Sequence, residues 1–247
     1  MRVEKWRHVF KLDPDKTISD GALRAICRSG TDAIIVGGSS GVTFANTAEL
    51  LARIRRHDVE CILELTSADS AVPGFDGYFI PMVLNAATVE WLCGRQLQAI
   101  RDYGELIPWE RTAASGYIIL NPDATAAKVS GARPLTDAAD VLACVRLADR
   151  LMRLPVIYLE YSGRYGDMDL VGKATRTVTV SRLFYGGGID DAAKAALAAR
   201  SAHTVVVGNV IYEDLNRALS TVEAVRSVGG PQRSSDNDDL KYANNEL

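Results

Sequence analysis

Leu183-Phe-Tyr-Gly-Gly-Gly-Ile189 is followed, after a helix-like stretch, by Val205-Val-Val-Gly-Asn-Val-Ile-Tyr-Glu213. Two short apolar runs each end in glycine, and each leads into a helical pattern. This is the signature of the seventh and eighth strands of a (β/α)8 TIM barrel, a fold that often holds a phosphate at that place. Glycine lets backbone N–H groups approach an anion closely, and a following helix N-terminus adds positive potential. The stretch therefore points to a fold and to a ligand class together.

The rest of the chain agrees with one such barrel. Its 247 residues are the usual size, and 47% hydrophobic with 24% charged residues suits a globular domain with a full core. A formal net charge of −3 gives no global pull toward nucleic acid, so none is expected as a partner. No apolar run approaches the ~20 residues needed to cross a bilayer. Met1-Arg-Val-Glu-Lys-Trp6 lacks the apolar core of a signal peptide. Cys27, Cys61, Cys93 and Cys144 are scattered with no CxxC pair, and are read as reduced, mostly buried thiols of a cytoplasmic protein.

Reading outward from the C-terminal glycines, Val156–Glu160 is a sixth strand, and Tyr117–Leu120 a fifth ending in Asn121-Pro122. His8–Leu12, Asp32–Val36, Cys61–Leu65 and Tyr78–Pro81 supply the first four. Ser19 is the expected N-cap of a helix reaching Ser29, and Thr136 of one reaching Met152. Asn46–His57 and Thr88–Tyr103 also carry a helical period. Between strands three and four lies only Thr66–Gly77, with Pro73 and Gly74 and no helical period. The barrel is thus expected to be modified, lacking its third helix, with one side left open. Gly229–Leu247 is polar and aperiodic; a disordered tail is expected there, leaving residues 1–228 as a single domain.

Chemistry in this fold sits at the C-terminal ends of the strands. Those ends carry Lys11, Asp13, Gly37-Gly38-Ser39, Glu64, Asn121, Tyr158, Glu160, Tyr161, Ser162, Gly163, Gly186–Gly188 and Gly208-Asn209. One lysine, several carboxylates, hydroxyls and many glycines suit a phosphorylated substrate and a hard cation with oxygen ligands. Lys11 either faces a phosphate or reaches from a strand end to water. Asp13 is a turn former before Pro14, a Mg²⁺ ligand or a base. Gly37–Gly41 is a phosphate cradle or a plain loop. Glu160 is a base, a stabiliser of developing positive charge, or a carboxylate paired with a barrel cation. Tyr158 shares its strand face. His8, His57 and His203 build no metal site. The basic run Arg53-Ile-Arg-Arg-His57 is a solvated helix end, with membrane-surface contact as the sharper alternative.

Trp6–Lys16, Gly30–Gly38, Val72–Asp76, Tyr103–Leu106, Tyr158–Gly163, Phe184–Gly188 and Val207–Asn209 stand in an order and spacing that resembles the PcrB-type heptaprenylglyceryl phosphate synthases. These are relatives of the geranylgeranylglyceryl phosphate synthases. The resemblance covers residues 5–228 and excludes the tail. It implies a barrel without its third helix and a Mg²⁺-dependent prenyltransferase joining a polyprenyl diphosphate to sn-glycerol 1-phosphate. It implies Lys11, Tyr158, Leu159, Glu160, Tyr161, Ser162, Gly163, Gly188, Gly208 and Asn209 as contacts of glycerol 1-phosphate. Asp13 and Ser39 are implied as metal-linked, with Glu160 and Tyr158 at the reacting hydroxyl. Some relatives have Thr in place of Ser39, or an acidic residue in place of Ser40; either way a hydroxyl is available at position 39.

In this family the helix near residues 88–103 lines the prenyl groove, and archaeal-type members carry a tryptophan that stops a C20 chain. Ala99 falls at that position here and leaves room for a C35 donor. The resemblance also implies a homodimer and peripheral contact with the membrane that holds the donor. The competing readings are a C20 synthase, a phosphosugar isomerase using Asp13 with a second carboxylate, and a non-enzymatic barrel binding a phosphorylated metabolite or a protein.

Overall fold

A computed structural model describes residues 1–231. Its strands are β1 (His8–Leu12), β2 (Ala33–Val36), β3 (Glu60–Glu64), β4 (Gly77–Val83), β5 (Thr112–Ile119), β6 (Val156–Glu160), β7 (Arg182–Gly186) and β8 (Thr204–Val207). All pair in parallel with their sequence neighbours, and β8 closes on β1. Parallel strands covered outside and filled inside must be apolar on both faces. Ala33–Val36 and Val156–Glu160 are accordingly buried throughout.

Alternation along each strand divides the core in two. Trp6, Val9, Ile35, Ile62, Phe79, Tyr117, Tyr158, Phe184 and Val206 fill the barrel interior. Phe10, Leu12, Ile34, Leu63, Ile157, Leu159 and Tyr185 face the helical layer. Trp6, Phe79 and Phe184 pack edge-on or tilted around the barrel floor, so the interior is solid below the mouth.

The helices are α1 (Asp20–Arg28), α2 (Phe44–Ile54), α3 (Arg95–Tyr103), α4 (Thr125–Ser130), α5 (Ala138–Arg146), α6 (Met168–Thr177), α7 (Ala192–Ser201), α8 (Val210–Glu213) and α9 (Leu215–Arg226). Ser19 caps α1 as expected, its hydroxyl accepting from Ala22 N–H at 3.2 Å. Other boundaries move. A reciprocal cap between Thr43 and Asn46 starts α2 at Phe44, two residues earlier than the periodicity predicts. Asp137, not Thr136, caps α5 through Ala139 N–H, and Leu147–Leu151 continues as a π-helical turn. A second π turn, Glu90–Gly94, precedes α3. The short α4 follows the strand end Asn121-Pro122, where no helix is expected from the sequence.

Between β3 and β4 there is only a one-turn 3₁₀ helix, Ala68–Ser70, so the third helix of the ideal barrel is absent. The gap is less open than the sequence suggests. Val72 and Phe75 are buried in the outer core, and the Tyr78 hydroxyl donates to Val72 C=O at 3.2 Å. The loop thus covers part of the sheet that a helix would have covered.

Cys27 and Cys61 are buried thiols, whereas Cys93 and Cys144 are only half-buried; all four are free. The basic run does not form one cationic face. Arg53 binds Asp20 and Ile18 C=O, Arg55 binds Asp76 and Gly74 C=O, and Arg56 lines a cavity of about 590 Å³ near the N-terminal end of the barrel. Among the described residues no helix is long and apolar enough to cross a membrane. The tail expectation falls largely on residues 232–247, outside the described residues.

Candidate active site

Inward alternation brings Lys11 of β1, Glu64 of β3, Tyr117 of β5, and Tyr158 and Glu160 of β6 to one end of the barrel. Lys11 Nζ donates to Glu64 Oε1 at 2.7 Å. The Tyr117 hydroxyl donates to Glu64 Oε2. The Tyr117 and Tyr158 rings stack with centroids 4.6 Å apart and planes at 10°. Lys11 Nζ lies 5.7 Å from each ring centroid, within the range of cation–π attraction. Glu160 Oε1 accepts from Ser162 N–H at 2.6 Å. The paired-carboxylate reading of Glu160 is therefore not what the geometry adopts, because the barrel lysine hydrogen-bonds Glu64.

The electrostatics follow from this packing. Burial raises the pKa of Glu160, and the Glu64 charge adds to that, while Lys11 and the Ser162 N–H oppose it; the net direction is up. Burial alone would lower Lys11. The charges of Glu64 and Glu160 and the Glu64 hydrogen bond outweigh burial, so its pKa is raised and the ammonium is retained. Tyr117 and Tyr158 are held far above the ordinary phenol range, by burial first and then by the neighbouring carboxylates. The cluster offers one fixed cation, one carboxylate hydrogen-bonded to it, and a second carboxylate able to accept a proton.

Across the mouth, the loops after β6, β7 and β8 form the glycine-rich side. Gly188 has φ +58°, and a Cβ there would overlap the backbone of Arg164 and Tyr165, so only glycine lets the two loops touch. A Cβ on Gly186 would collide with the Tyr158 hydroxyl. Tyr185 ties the loops together, accepting from Gly166 N–H and donating to Gly187 C=O, each at 2.8 Å. Asn121 donates to Ser162 C=O at 2.6 Å and steadies the exposed Ser162-Gly163 turn. Gly208 and Asn209 sit at the end of β8, where Lys16 Nζ donates to Asn209 Oδ1 at 3.2 Å. Sequence reasoning did not give Glu64, Tyr117 or Tyr185 a role. For Glu64 the available signal was a carboxylate at an inward position of an apolar strand.

Leu159 and Tyr161 turn their side chains away from the mouth. Their side chains are buried in the outer core, Tyr161 with its ring 5.9 Å from that of Tyr185. The two-residue period that turns Tyr158 and Glu160 inward turns these two outward, leaving only their backbone near the mouth.

Asp13 and Ser39 lie on adjacent loops. A Cβ on Gly38 would come 2.5 Å from Asp13 Oδ1, so glycine allows the second loop to press on that carboxylate. The Tyr212 hydroxyl accepts from Asp13 N–H at 2.9 Å and pins the first loop to the chain beyond β8. Among the described residues no group of three His, Cys, Asp or Glu converges. A carboxylate and a hydroxyl are hard oxygen donors that suit Mg²⁺, a cation that keeps waters and takes substrate phosphate oxygens as further ligands.

Ala99 is half-buried on α3, one turn from Gln96, which donates to Pro81 C=O at 2.6 Å. Both therefore lie on the face of α3 toward the barrel, while Leu97, Ile100 and Tyr103 are exposed. His8 is structural. It bonds the Thr31 and Thr221 hydroxyls at 2.9 Å each, and burial followed by the Arg226 charge lowers its pKa to about 3.

Known proteins resemble this chain in sequence and in fold. The chain is 50% identical over 234 residues to the heptaprenylglyceryl phosphate synthase of Geobacillus kaustophilus, covering 95% of this chain and 98% of that protein. It is 52% identical over 221 residues to the heptaprenylglyceryl phosphate synthase of Brevibacillus brevis, covering 90% and 96%. The fold superimposes with a TM-score of 0.81 on (S)-3-O-geranylgeranylglyceryl phosphate synthase from Thermoplasma acidophilum, solved with its substrate sn-glycerol-1-phosphate. That protein is 22% identical, with 90% of this chain and 94% of that one covered. The sequence pattern of the PcrB family matches residues 1–226, the whole of the barrel, and the chain belongs to that family.

Proposed function

We propose that this chain is a prenyltransferase that joins heptaprenyl diphosphate to sn-glycerol 1-phosphate, giving heptaprenylglyceryl phosphate and diphosphate. The observation that carries the reading is the mouth itself. A lysine–carboxylate pair and a second buried carboxylate face a glycine-rich rim, in a chain half identical to two synthases of that name.

The glycine rim at Gly188 and Gly208-Asn209 would hold the phosphate, and Ser162-Gly163 the glycerol. Glu160, kept basic by burial, orients the reacting hydroxyl and takes its proton. The hydroxyl oxygen forms its bond to C1 of the prenyl donor as the C1–O bond breaks, and that electron pair leaves with the diphosphate. Positive charge developing on C1 would be met by the Glu160 carboxylate and the faces of Tyr117 and Tyr158. Positioning supplies most of the acceleration, since the site holds both reactants against fixed groups. Mg²⁺, held by Asp13, Ser39 and the diphosphate itself, would supply Lewis-acid stabilisation of the leaving oxygens.

Ala99 on the inner face of α3 supports the longer donor, because a methyl leaves that stripe open beside the exposed Leu97, Ile100 and Tyr103. The same apolar side chains are where a C35 tail, or the membrane surface it comes from, would meet the protein. Assembly as a homodimer belongs to the same reading.

The test is an assay with radiolabelled glycerol 1-phosphate, Mg²⁺ and C15, C20 or C35 prenyl diphosphate in turn. Lipid-extractable product strongest with C35 is the expected result. Equal or greater product with C20 would replace the donor assignment. No product with any chain would return the isomerase and binding-protein readings.

A further inference from the structure

Lys11 has three carboxylates within electrostatic reach, Glu64, Glu160 and Asp13, and hydrogen-bonds Glu64. Glu64 is 4% exposed, so its charge is balanced inside the protein. One of its oxygens takes the Lys11 ammonium and the other the Tyr117 hydroxyl. Tyr117 in turn stacks on Tyr158, two residues before Glu160 on the same strand. Glycine at position 37 leaves the space that Glu64 occupies, since a Cβ there would come 2.8 Å from Glu64 Cβ. Both oxygens of this carboxylate are engaged by groups from two other strands, so its effect on the site runs through those partners.

We propose that Glu64 is a positioning residue for the transfer reaction: it holds the Lys11 ammonium and the Tyr117 ring in place and keeps that ammonium from pairing with Glu160. Without the Glu64 charge, Glu160 and Asp13 are the carboxylates left to the half-buried ammonium, and of these Glu160 is the buried one inside the barrel. Pairing with Glu160 engages the group that must accept the glycerol proton. Glycerol 1-phosphate still meets a cation and an intact glycine rim, so its binding survives while turnover does not. The inference rests on the prenyltransferase reading above.

The experiment is steady-state kinetics on the full chain with Glu64→Gln and Glu64→Asp, after wild-type turnover is established. Isothermal titration of glycerol 1-phosphate and thermal melts accompany it. Glu64→Gln keeps the shape and removes the charge. It is expected to lower kcat by about 30-fold or more while the Kd for glycerol 1-phosphate changes less than about threefold. Glu64→Asp restores the charge on a shorter stem and is expected to recover part of kcat. Unchanged kcat in a folded Glu64→Gln chain overturns the proposal. So does a loss confined to glycerol phosphate binding, or a Glu64→Asp variant no better than Glu64→Gln. If neither variant folds, Tyr117→Phe decides: the clamp requires a kcat loss of about threefold or more with the melt little changed, and wild-type kcat overturns it. Absence of wild-type turnover would instead sink the functional reading, so the two failures are distinguishable.

Discussion

At the residue scale, the chemistry rests on Glu160, whose pKa is raised by burial and by the Glu64 charge against the pull of Lys11. A base must be ionised, so the acid limb of the kcat profile is expected above the ordinary Glu value of about 4.3. A pH–rate series with saturating substrates measures it, and a limb at or below that value would remove Glu160 as the titrating base. Glu160→Gln should lower turnover by about two to four orders of magnitude with the fold intact; wild-type rates in that variant would take Glu160 out of the mechanism. Gly186→Ala places a methyl on the Tyr158 hydroxyl. It should displace the ring stacked on Tyr117 and cost activity well beyond any change in melting temperature.

At the element scale, the loop between α6 and β7 depends on one buried carboxylate, Asp149 of the Leu147–Leu151 turn. Asp149 accepts from the N–H groups of Thr179, Val180 and Ser181 and from the Thr179 hydroxyl. Burial alone would raise its pKa, but those donors outweigh burial and lower it to about 2. A carboxylate lowered on folding contributes stability above its unfolded pKa, and that contribution is lost as pH falls through the folded value. Asp149 should therefore add about 2 kcal/mol at neutral pH that disappears between about pH 4 and pH 2. Asp149→Asn should flatten that part of the stability curve in urea melts at graded pH. On α3, Ala99→Trp should shift donor preference from C35 toward C20, read in competition assays. An unchanged preference would mean that the tail runs over another face of the helix.

At the scale of the whole molecule, the barrel is closed by contacts that join its first and last strands. Arg7 reaches Ala199 C=O at 2.8 Å and His203 C=O at 3.2 Å, and the Thr204 hydroxyl donates to Trp6 C=O at 2.8 Å. The family pattern ends at residue 226, in the last turn of α9. A chain stopped after residue 231 should keep wild-type kcat within about twofold, because the family pattern ends at residue 226 and the mouth residues described above precede it. Loss of turnover in a truncated but folded chain would assign the tail a part in the reaction.

The barrel could be read from the sequence because its strands are near-continuous apolar runs of four to eight residues ending in glycine or polar turns, and that pattern is local. The missing third helix was legible for the same reason: Thr66–Gly77 has no helical period. The starts of α2 and α5 differ from expectation by two residues and one; at α5 either of the neighbouring Thr136 and Asp137 can cap, and the choice depends on packing. Strand alternation alone would place Lys11, Glu64, Tyr117, Tyr158 and Glu160 on the inner face and turn Leu159 and Tyr161 outward. What alternation leaves open is which partner each inner group takes. Lys11 meets Glu64 across β1 and β3, 53 residues apart, and Tyr117 stacks on Tyr158 across β5 and β6. Those pairings follow from barrel closure and side-chain packing. They belong to the tertiary structure, because only the folded chain brings groups so distant in sequence into one buried space.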